Sequence, residues 1–347
     1  MPRLLEKKIT ASKAGTLLFA SIVLAFLILE APFLNAQELM EVIDARNVLV
    51  KVPKAPERIV TLSFASTELI RLMGGISRVV GTTRYVKARP FMIPETAHIP
   101  DVGRGFMPDI ETLSRLEPQL VITWAGNPGP DLELKLLPLD IYVLRLEFFL
   151  PSVFEGEVTV LSEVLGGSAT ERAKMYLDWI NQHKKKLQDL IGNEEVDKPT
   201  VIIEHFTERR IAGPGAGAYE LSQMAGANNL GYYLGRQSSE TEDEWLIRQN
   251  PTVYIKIVSP PIAVSEAERQ KAMEDAVREV MERPGWDEMD AVKNKRVYAL
   301  DSDFSGGPRY VIGLYQMAHF FYPDKVPLQL SEDVFREYLE FQGLKMP

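Results

Sequence analysis

Ser168-Ala-Thr-Glu-Arg-Ala-Lys-Met-Tyr-Leu-Asp-Trp-Ile-Asn-Gln-His-Lys-Lys-Lys-Leu-Gln-Asp-Leu-Ile-Gly192 reads as one uninterrupted helix. Ser168 and Glu171 have capping-box spacing, and Ala173, Leu177, Ile180, Leu187 and Ile191 recur at helical intervals before the Gly192 stop. About 24 residues give about 36 Å of helix, long enough to run along two lobes instead of packing within one. Residues 152–167 also lack proline and have few strand formers, so 152–192 as a whole is assigned to a bridging helical segment.

Both flanks of this segment alternate short β-branched runs with helical patterns. In the first flank, 37–151, residues 37–57 suit an entry hairpin or an extended lead. Strands are predicted at Arg58–Phe64, Arg78–Gly81, Leu120–Trp124 and Ile141–Leu146. Helices are predicted from Ser66 to Gly74 and over Asp109–Leu116. In the second flank, 193–347, strands are predicted at Thr200–Phe206, Thr252–Val258 and Arg296–Leu300. Helices follow at Tyr219–Gly226 and 265–283, with closing helices at Tyr310–Tyr322 and Ser331–Phe341. The expected fold is α/β: two Rossmann-like lobes with mainly parallel sheets, bridged by one long α-helix, with a ligand cleft between the lobes.

The flanks also echo each other. Glu68 stands six residues before Gly74, and Glu220 six before Gly226. Glu111 stands seven before Pro118, with Leu120-Val-Ile after it. Glu244 stands seven before Pro251, with Val253-Tyr-Ile after it. Two spacings repeated in the same order indicate a duplicated strand–helix unit.

Composition narrows the function. Hydrophobic residues are 46% and charged residues 25%, which excludes a disordered or fibrous chain. The net charge is −9, and the body after residue 36 is more acidic still, because residues 1–36 hold four bases and two acids. Nucleic acid and anionic lipid are thereby disfavoured. With no cysteine, disulfides, thiolate metal sites, a cysteine nucleophile and a lipid-modified cysteine are all excluded. Arg3, Lys7, Lys8 and Lys13 precede an apolar run, Ala14–Leu29, so residues 1–36 read as a signal peptide or an N-terminal anchor. Cleavage after Ala36 meets Leu34 where a small residue is preferred. Either reading puts the body outside the cytoplasm.

Several segments resemble the class III solute-binding proteins, the iron-chelate and cobalamin receptors of ATP-driven importers. They are Arg58-Ile-Val-Thr-Leu with Ser66-Thr-Glu-Leu, Asp101-Val-Gly, Asp109-Ile-Glu-Thr-Leu with Glu117-Pro-Gln-Leu-Val-Ile122, Gly226-Ala-Asn-Asn229, the Glu244–Pro251 segment, Trp286 with Ala291–Tyr298, and Gly306-Gly-Pro-Arg-Tyr310. The resemblance covers roughly residues 55–325. It implies a monomeric, non-enzymatic receptor that carries a ferric siderophore, haem or a corrinoid to an ABC permease dimer. It also implies that Glu111 and Glu244, one on each lobe, dock on arginine pockets of the two permease subunits. Each acid equally suits a solvated helix start favoured by the helix dipole.

The cleft is expected where strand carboxyl ends meet. First-lobe candidates are Ser63, Phe64, Arg84, Tyr85, Arg104, Phe106 and Trp124. Second-lobe candidates are Phe206, Arg209, Arg210, Tyr219, Phe304, Arg309 and Tyr310. Arginines match the carboxylate or phenolate oxygens of a chelate, and aromatic faces suit a large, flat or apolar ligand. Any one of these aromatics equally suits core or rim. Gly213-Pro-Gly-Ala-Gly-Ala218 has neither phosphate-binding form and reads as a cleft-lining turn. His98, His183, His205 and His319 show no paired-ligand spacing, so no direct metal site is expected; His205, Tyr219 and Tyr310 leave haem ligation open. A ligand sensor or anchored scaffold on the same fold stays open. A nitrogenase-like two-lobed enzyme stays open too, though the lack of cysteine weighs against its metal cluster.

Overall fold

Apolar residues of the central strands alternate between two faces, and both faces are covered. The computed structural model describes residues 37–89, 91–192, 198–260 and 265–345; the leader or anchor read from residues 1–36 lies outside them. A hairpin comes first, β1 (Leu39–Ile43) and β2 (Leu49–Pro53). The first lobe follows: β3 (Ile59–Thr61), α1 (Phe64–Leu72), β4 (Val79–Thr82), α2 (Arg84–Lys87), the small hairpin β5 (Gly103–Arg104) and β6 (Met107–Pro108), α3 (Ile110–Arg115), β7 (Leu120–Thr123), α4 (Asp131–Leu136) and β8 (Tyr142–Arg145). Its sheet runs β4-β3-β7-β8, parallel throughout.

Two helices then cross over, α5 (Pro151–Leu165) and α6 (Ala169–Ile191), separated by Gly166 and Gly167 at φ +66° and +59°. The second lobe contains β9 (Thr200–Glu204), β10 (Arg210–Ala212), α7 (Gly217–Met224), β11 (Asn228–Asn229), β12 (Ser238–Glu240), α8 (Asp243–Gln249), β13 (Val253–Val258), α9 (Glu266–Met281), α10 (Asp290–Lys293) and β14 (Val297–Asp301). It closes with α11 (Tyr310–Phe321) and α12 (Gln329–Phe341). Apart from the antiparallel β10 and β12, its order β11-β9-β13-β14 repeats that of the first sheet. The duplication is therefore topological: α3 precedes the third strand of one sheet, and α8 precedes the third strand of the other.

Val60 and Val121 face an outer core with Leu113 of α3 and Leu132 of α4. Ile202 and Tyr254 face another with Leu246 of α8 and Val280 of α9. Their neighbours Ile59, Leu120, Ile122, Val201, Ile203, Val253 and Ile255 join one continuous core that includes α1, α5, α6, α7, α11 and α12. Helix α6 spans both halves. Near its start, the Arg172 guanidinium donates to the Leu72 carbonyl at the end of α1 (2.7 Å). At its other end, Lys325 donates to the Ile191 carbonyl (2.8 Å). Its start differs from the expected capping box. Ser168 has helical backbone angles and its hydroxyl caps nothing, because the Gly166-Gly167 turn feeds the helix directly. A capping box does form on α9, between Ser265 and Glu268.

One flank of the seam between the lobes is closed by buried charges. Arg309 sits 3.3 Å from the Glu68 carboxylate and 3.4 Å from Asp303. Arg89 reaches Asp303 from the first lobe (3.3 Å), and the Tyr338 hydroxyl donates to Glu68 (2.7 Å). The Arg89 and Arg309 guanidiniums both lie over the Phe64 ring, at 5.3 and 4.9 Å. Burial alone would raise the Asp303 carboxyl, but Arg309, Arg89 and Arg269 outweigh it and hold it down to about 2.

That depression fixes a sign. Asp303 stabilises the fold above its unfolded value of 3.8, and the contribution is lost as pH falls through about 2. At about 1.4 kcal/mol per pH unit, Asp303→Asn should cost about 2 kcal/mol at pH 7. Chemical denaturation at pH 7 and near pH 2.5 checks this: the gap between variant and wild type should shrink at the lower pH.

Candidate functional site

A second flank of the seam stays open, and a cavity of about 1140 Å³ lies there. Its first-lobe wall comprises Phe106 in the β5–β6 turn, the loop Trp124–Asn127 after β7, and Glu147, Phe149 and Leu150 after β8. Residues of α5 (among them Val153, Gly156, Glu157 and Val160) and of the β1–β2 turn extend the lining. Gly215, Gly217 and Gln237 close it from the second lobe.

Two glycines permit close approaches. A Cβ on Gly105 would fall 2.5 Å from both the Trp124 ring and the Leu62 carbonyl oxygen, so only glycine lets the small hairpin lie against that ring. A Cβ on Gly217 would collide with the Phe149 carbonyl oxygen, which is how the predicted glycine turn comes to meet the crossover.

Arg145, 1% exposed, shapes the loop after β7. Its guanidinium pairs with both oxygens of Glu133 (2.7 and 2.8 Å). It also donates to the carbonyls of Trp124 (3.0 Å), Ala125 (3.3 Å), Pro128 (2.7 Å) and Gly129 (3.2 Å). Every donor direction is used internally, so this arginine builds the wall of the cavity and offers nothing to its contents.

Three carboxylates line the space. Asp44 is neutralised by Arg46 (2.7 Å). Glu157 accepts the backbone N–H groups of Glu147 (2.9 Å) and Phe148 (2.5 Å), which fixes the crossover bend where Phe148 takes φ +59°. Burial raises the Glu157 carboxyl, the two amides oppose the shift, and the Glu147 charge adds to it. Glu147 is half-buried and, among the described residues, accepts only the Ala125 N–H, at 3.3 Å. Burial raises it against that single amide. Among the described residues, no lysine, arginine or histidine lines the cavity.

Of the fourteen residues predicted to meet a ligand, Phe106 and Trp124 line this space. Several others are spent on the fold. Ser63 caps α1 by accepting the Ser66 N–H (3.1 Å). Phe64, Arg309 and the partly buried Phe304 belong to the closed flank, where the Arg309 guanidinium also lies 5.8 Å from the Phe304 ring. Tyr310 packs in the core against Phe154 (5.3 Å), and Tyr219 is buried on α7. The Arg89 guanidinium stacks on the Tyr85 ring (3.9 Å). Arg84 pairs with Asp101 (3.6 Å), Arg209 with Asp243 (2.9 Å), and Arg210 donates to Ser238 (3.0 Å). Phe206 and Arg104 are exposed outside the lining. Of the predicted arginines, Arg84, Arg209, Arg210 and Arg309 have carboxylate or hydroxyl partners within the protein, and the lining of this cavity is aromatic and carboxylate. With Tyr219 and Tyr310 in the core and His205 off the lining, the three do not meet in the cavity. Glu147, Glu157 and Phe149 were missed. Their one sequence signal is position, just after or facing the end of the strand predicted at Ile141–Leu146. Among the described residues, no three His, Asp or Glu side chains converge to hold a metal ion.

Glu111 and Glu244 both occupy first turns, of α3 and α8, and both are exposed, Glu111 at 83% of its side chain. Asp109 caps α3 by accepting the N–H groups of Glu111 and Thr112 (both 3.1 Å). No helix among the described residues is long and apolar enough to cross a membrane.

A family model for periplasmic binding proteins matches residues 59–304. An uncharacterized ABC transporter substrate-binding lipoprotein of Bacillus subtilis is 24% identical over 288 residues, which is 81% of this chain and 85% of that protein. A cobalamin-binding protein of Halobacterium salinarum is 22% identical over 223 residues, 62% of this chain and 58% of that one. Among solved structures, the molybdate periplasmic binding protein MolA of Haemophilus influenzae superposes with a TM-score of 0.72. At 17% identity it covers 89% of this chain and 99% of that one, a likeness of fold.

Arg145→Met keeps the volume but strands four carbonyls and leaves Glu133 to Arg46 alone (3.0 Å). We expect a loss of about 3 kcal/mol in urea denaturation, as for other buried pairs broken on one side. Backbone amides of Ala125–Gly129 should exchange hydrogen faster than in wild type. Unchanged exchange would show that the loop holds its shape without this arginine.

Proposed function

The chain belongs to the periplasmic binding protein family, and from that premise we propose that it is the exported substrate-binding component of an ABC importer. It captures a bulky metal complex, a ferric siderophore, haem or a corrinoid, in the open flank of the seam and delivers it to the permease. One observation carries the reading: a cavity of about 1140 Å³ with aromatic walls lies between duplicated lobes. Trp124, Phe106 and Phe149 supply flat apolar surface for a large ligand. The relative that binds cobalamin supports the corrinoid within this set.

Delivery rests on Glu111 and Glu244. The repeated topology puts them at equivalent positions, one per lobe, and a permease dimer with two-fold symmetry offers two equivalent basic sockets. Such exposed pairs register a complex and speed its formation more than they deepen its affinity. The protein acts as a monomer. Residues 1–36 direct export, by cleavage or as an anchor; lipid attachment through cysteine, the route open to a lipoprotein, is not available within a sequence that has none.

Glu111→Arg combined with Glu244→Arg should abolish uptake in cells while ligand affinity, read by intrinsic tryptophan fluorescence, stays within about twofold of wild type. Uptake at the wild-type rate in the double variant would refute the docking assignment. Loss of ligand binding in that variant would also count against it.

A further inference from the structure

We infer that Glu147 sets the charge of the cargo: the cavity takes a complex whose rim presents hydrogen-bond donors or positive charge, such as carboxamides, and disfavours one rimmed by carboxylates or phenolates. The inference rests on the binding-protein reading above and narrows the ligand class within it.

The Glu147 carboxylate has unmet hydrogen-bonding capacity. An ionised carboxylate offers about four acceptor sites, and Glu147 uses one of them, weakly, on the Ala125 N–H at 3.3 Å. The other two acids of the lining are already satisfied, Asp44 by Arg46 and Glu157 by two backbone amides. Glu147 lies on the cavity wall between Trp124 and Phe149, half out of water, and no ion pair of the described residues includes it. A half-buried acceptor with no cation beside it gains from a donor brought by the ligand and repels a ligand of its own sign. Arginines that would reverse this preference are engaged elsewhere: Arg145 in the wall, Arg309 and Arg89 in the closed flank. Arg104 stands exposed on the small hairpin, outside the lining.

The full chain is titrated, by tryptophan fluorescence and calorimetry, with two probes: cyanocobalamin, uncharged and rimmed by amides, and haemin, which carries two propionates. Wild type should bind cyanocobalamin at least about tenfold more tightly than haemin. Glu147→Gln, which keeps the shape and one acceptor, should weaken cyanocobalamin by about tenfold, and Glu147→Lys should shift the preference toward haemin. Arg104→Ala should change neither. Thermal unfolding of each variant guards against misfolding, since Glu147 makes a single weak bond in the fold. Tighter haemin binding that is lost in Arg104→Ala would overturn the inference, as would wild-type affinity for cyanocobalamin in both Glu147 variants. Binding of neither probe by wild type would overturn it too. Uptake that depends on Glu111 and Glu244 but is indifferent to Glu147 would leave the transport reading standing and remove only this one. The converse pattern would remove the transport reading.

Discussion

Arg309 is 4% exposed, and a guanidinium cannot shed its proton to escape that burial. It must be met by carboxylates, and the two that meet it come from different halves of the chain, Glu68 from α1 and Asp303 from the turn after β14. Removing water from three charges is costly, and the arrangement stands because each carboxylate has a further donor, Tyr338 on Glu68 and Arg89 on Asp303. The position of this cluster decides the rest. Strand β4 in one sheet and β14 in the other end at the closed flank, so the ends of β7 and β8 are left facing the glycine turn before α7. The cavity lies there, and its lining holds carboxylates but none of these arginines.

The lobes are also joined by α6, about 34 Å long from Ala169 to Ile191, and by a core that runs without a break from one sheet to the other. A continuous helix has no loop to absorb a large hinge rotation. One flank is pinned by ion pairs and the back is held by a rod, while the free flank is held by glycine against backbone and by Glu220, which accepts the Ser152 N–H and hydroxyl (3.0 and 3.1 Å). The close approach of Gly217 to the Phe149 carbonyl is a contact of shape without charge, and it can part without stranding an ion.

Much of this architecture is legible in the chain itself. Every strand that builds the parallel core of the two sheets, short β11 apart, was marked by a β-branched run between turn residues. The Glu111–Pro118 and Glu244–Pro251 spacings correspond to α3 and α8 at equivalent places in the two topologies. The cleft was less legible, for a physical reason. An arginine after a strand looks the same whether its carboxylate belongs to a ligand or to the protein, and Glu68, which meets Arg309, and Asp303, which meets Arg89, lie far away from them along the chain. Phe106 and Trp124, aromatic residues with no internal charge to satisfy, are the two predicted residues that line the cavity. Glu147 and Glu157 could be found only once the crossover bend was known, since Glu157 faces the amides of residues 147 and 148 through the return of α5.

The two flanks answer to different constraints. On the closed flank, each side chain has its partner fixed within the protein, so a substitution there strands a charge and weakens the whole fold. On the open flank, Arg145 from behind and Glu157 from within the lining hold the backbone, through carbonyls and amides whose identity does not depend on the neighbouring side chains. Trp124, Phe149 and Glu147 therefore sit on a frame that does not need them for its shape. Such a frame lets the lining change with the cargo while the seam, the rod and the two exposed glutamates stay as they are. That separation explains how one duplicated scaffold can serve ligands of very different chemistry, and why the composition of the lining, more than the fold, carries the information about what this chain binds.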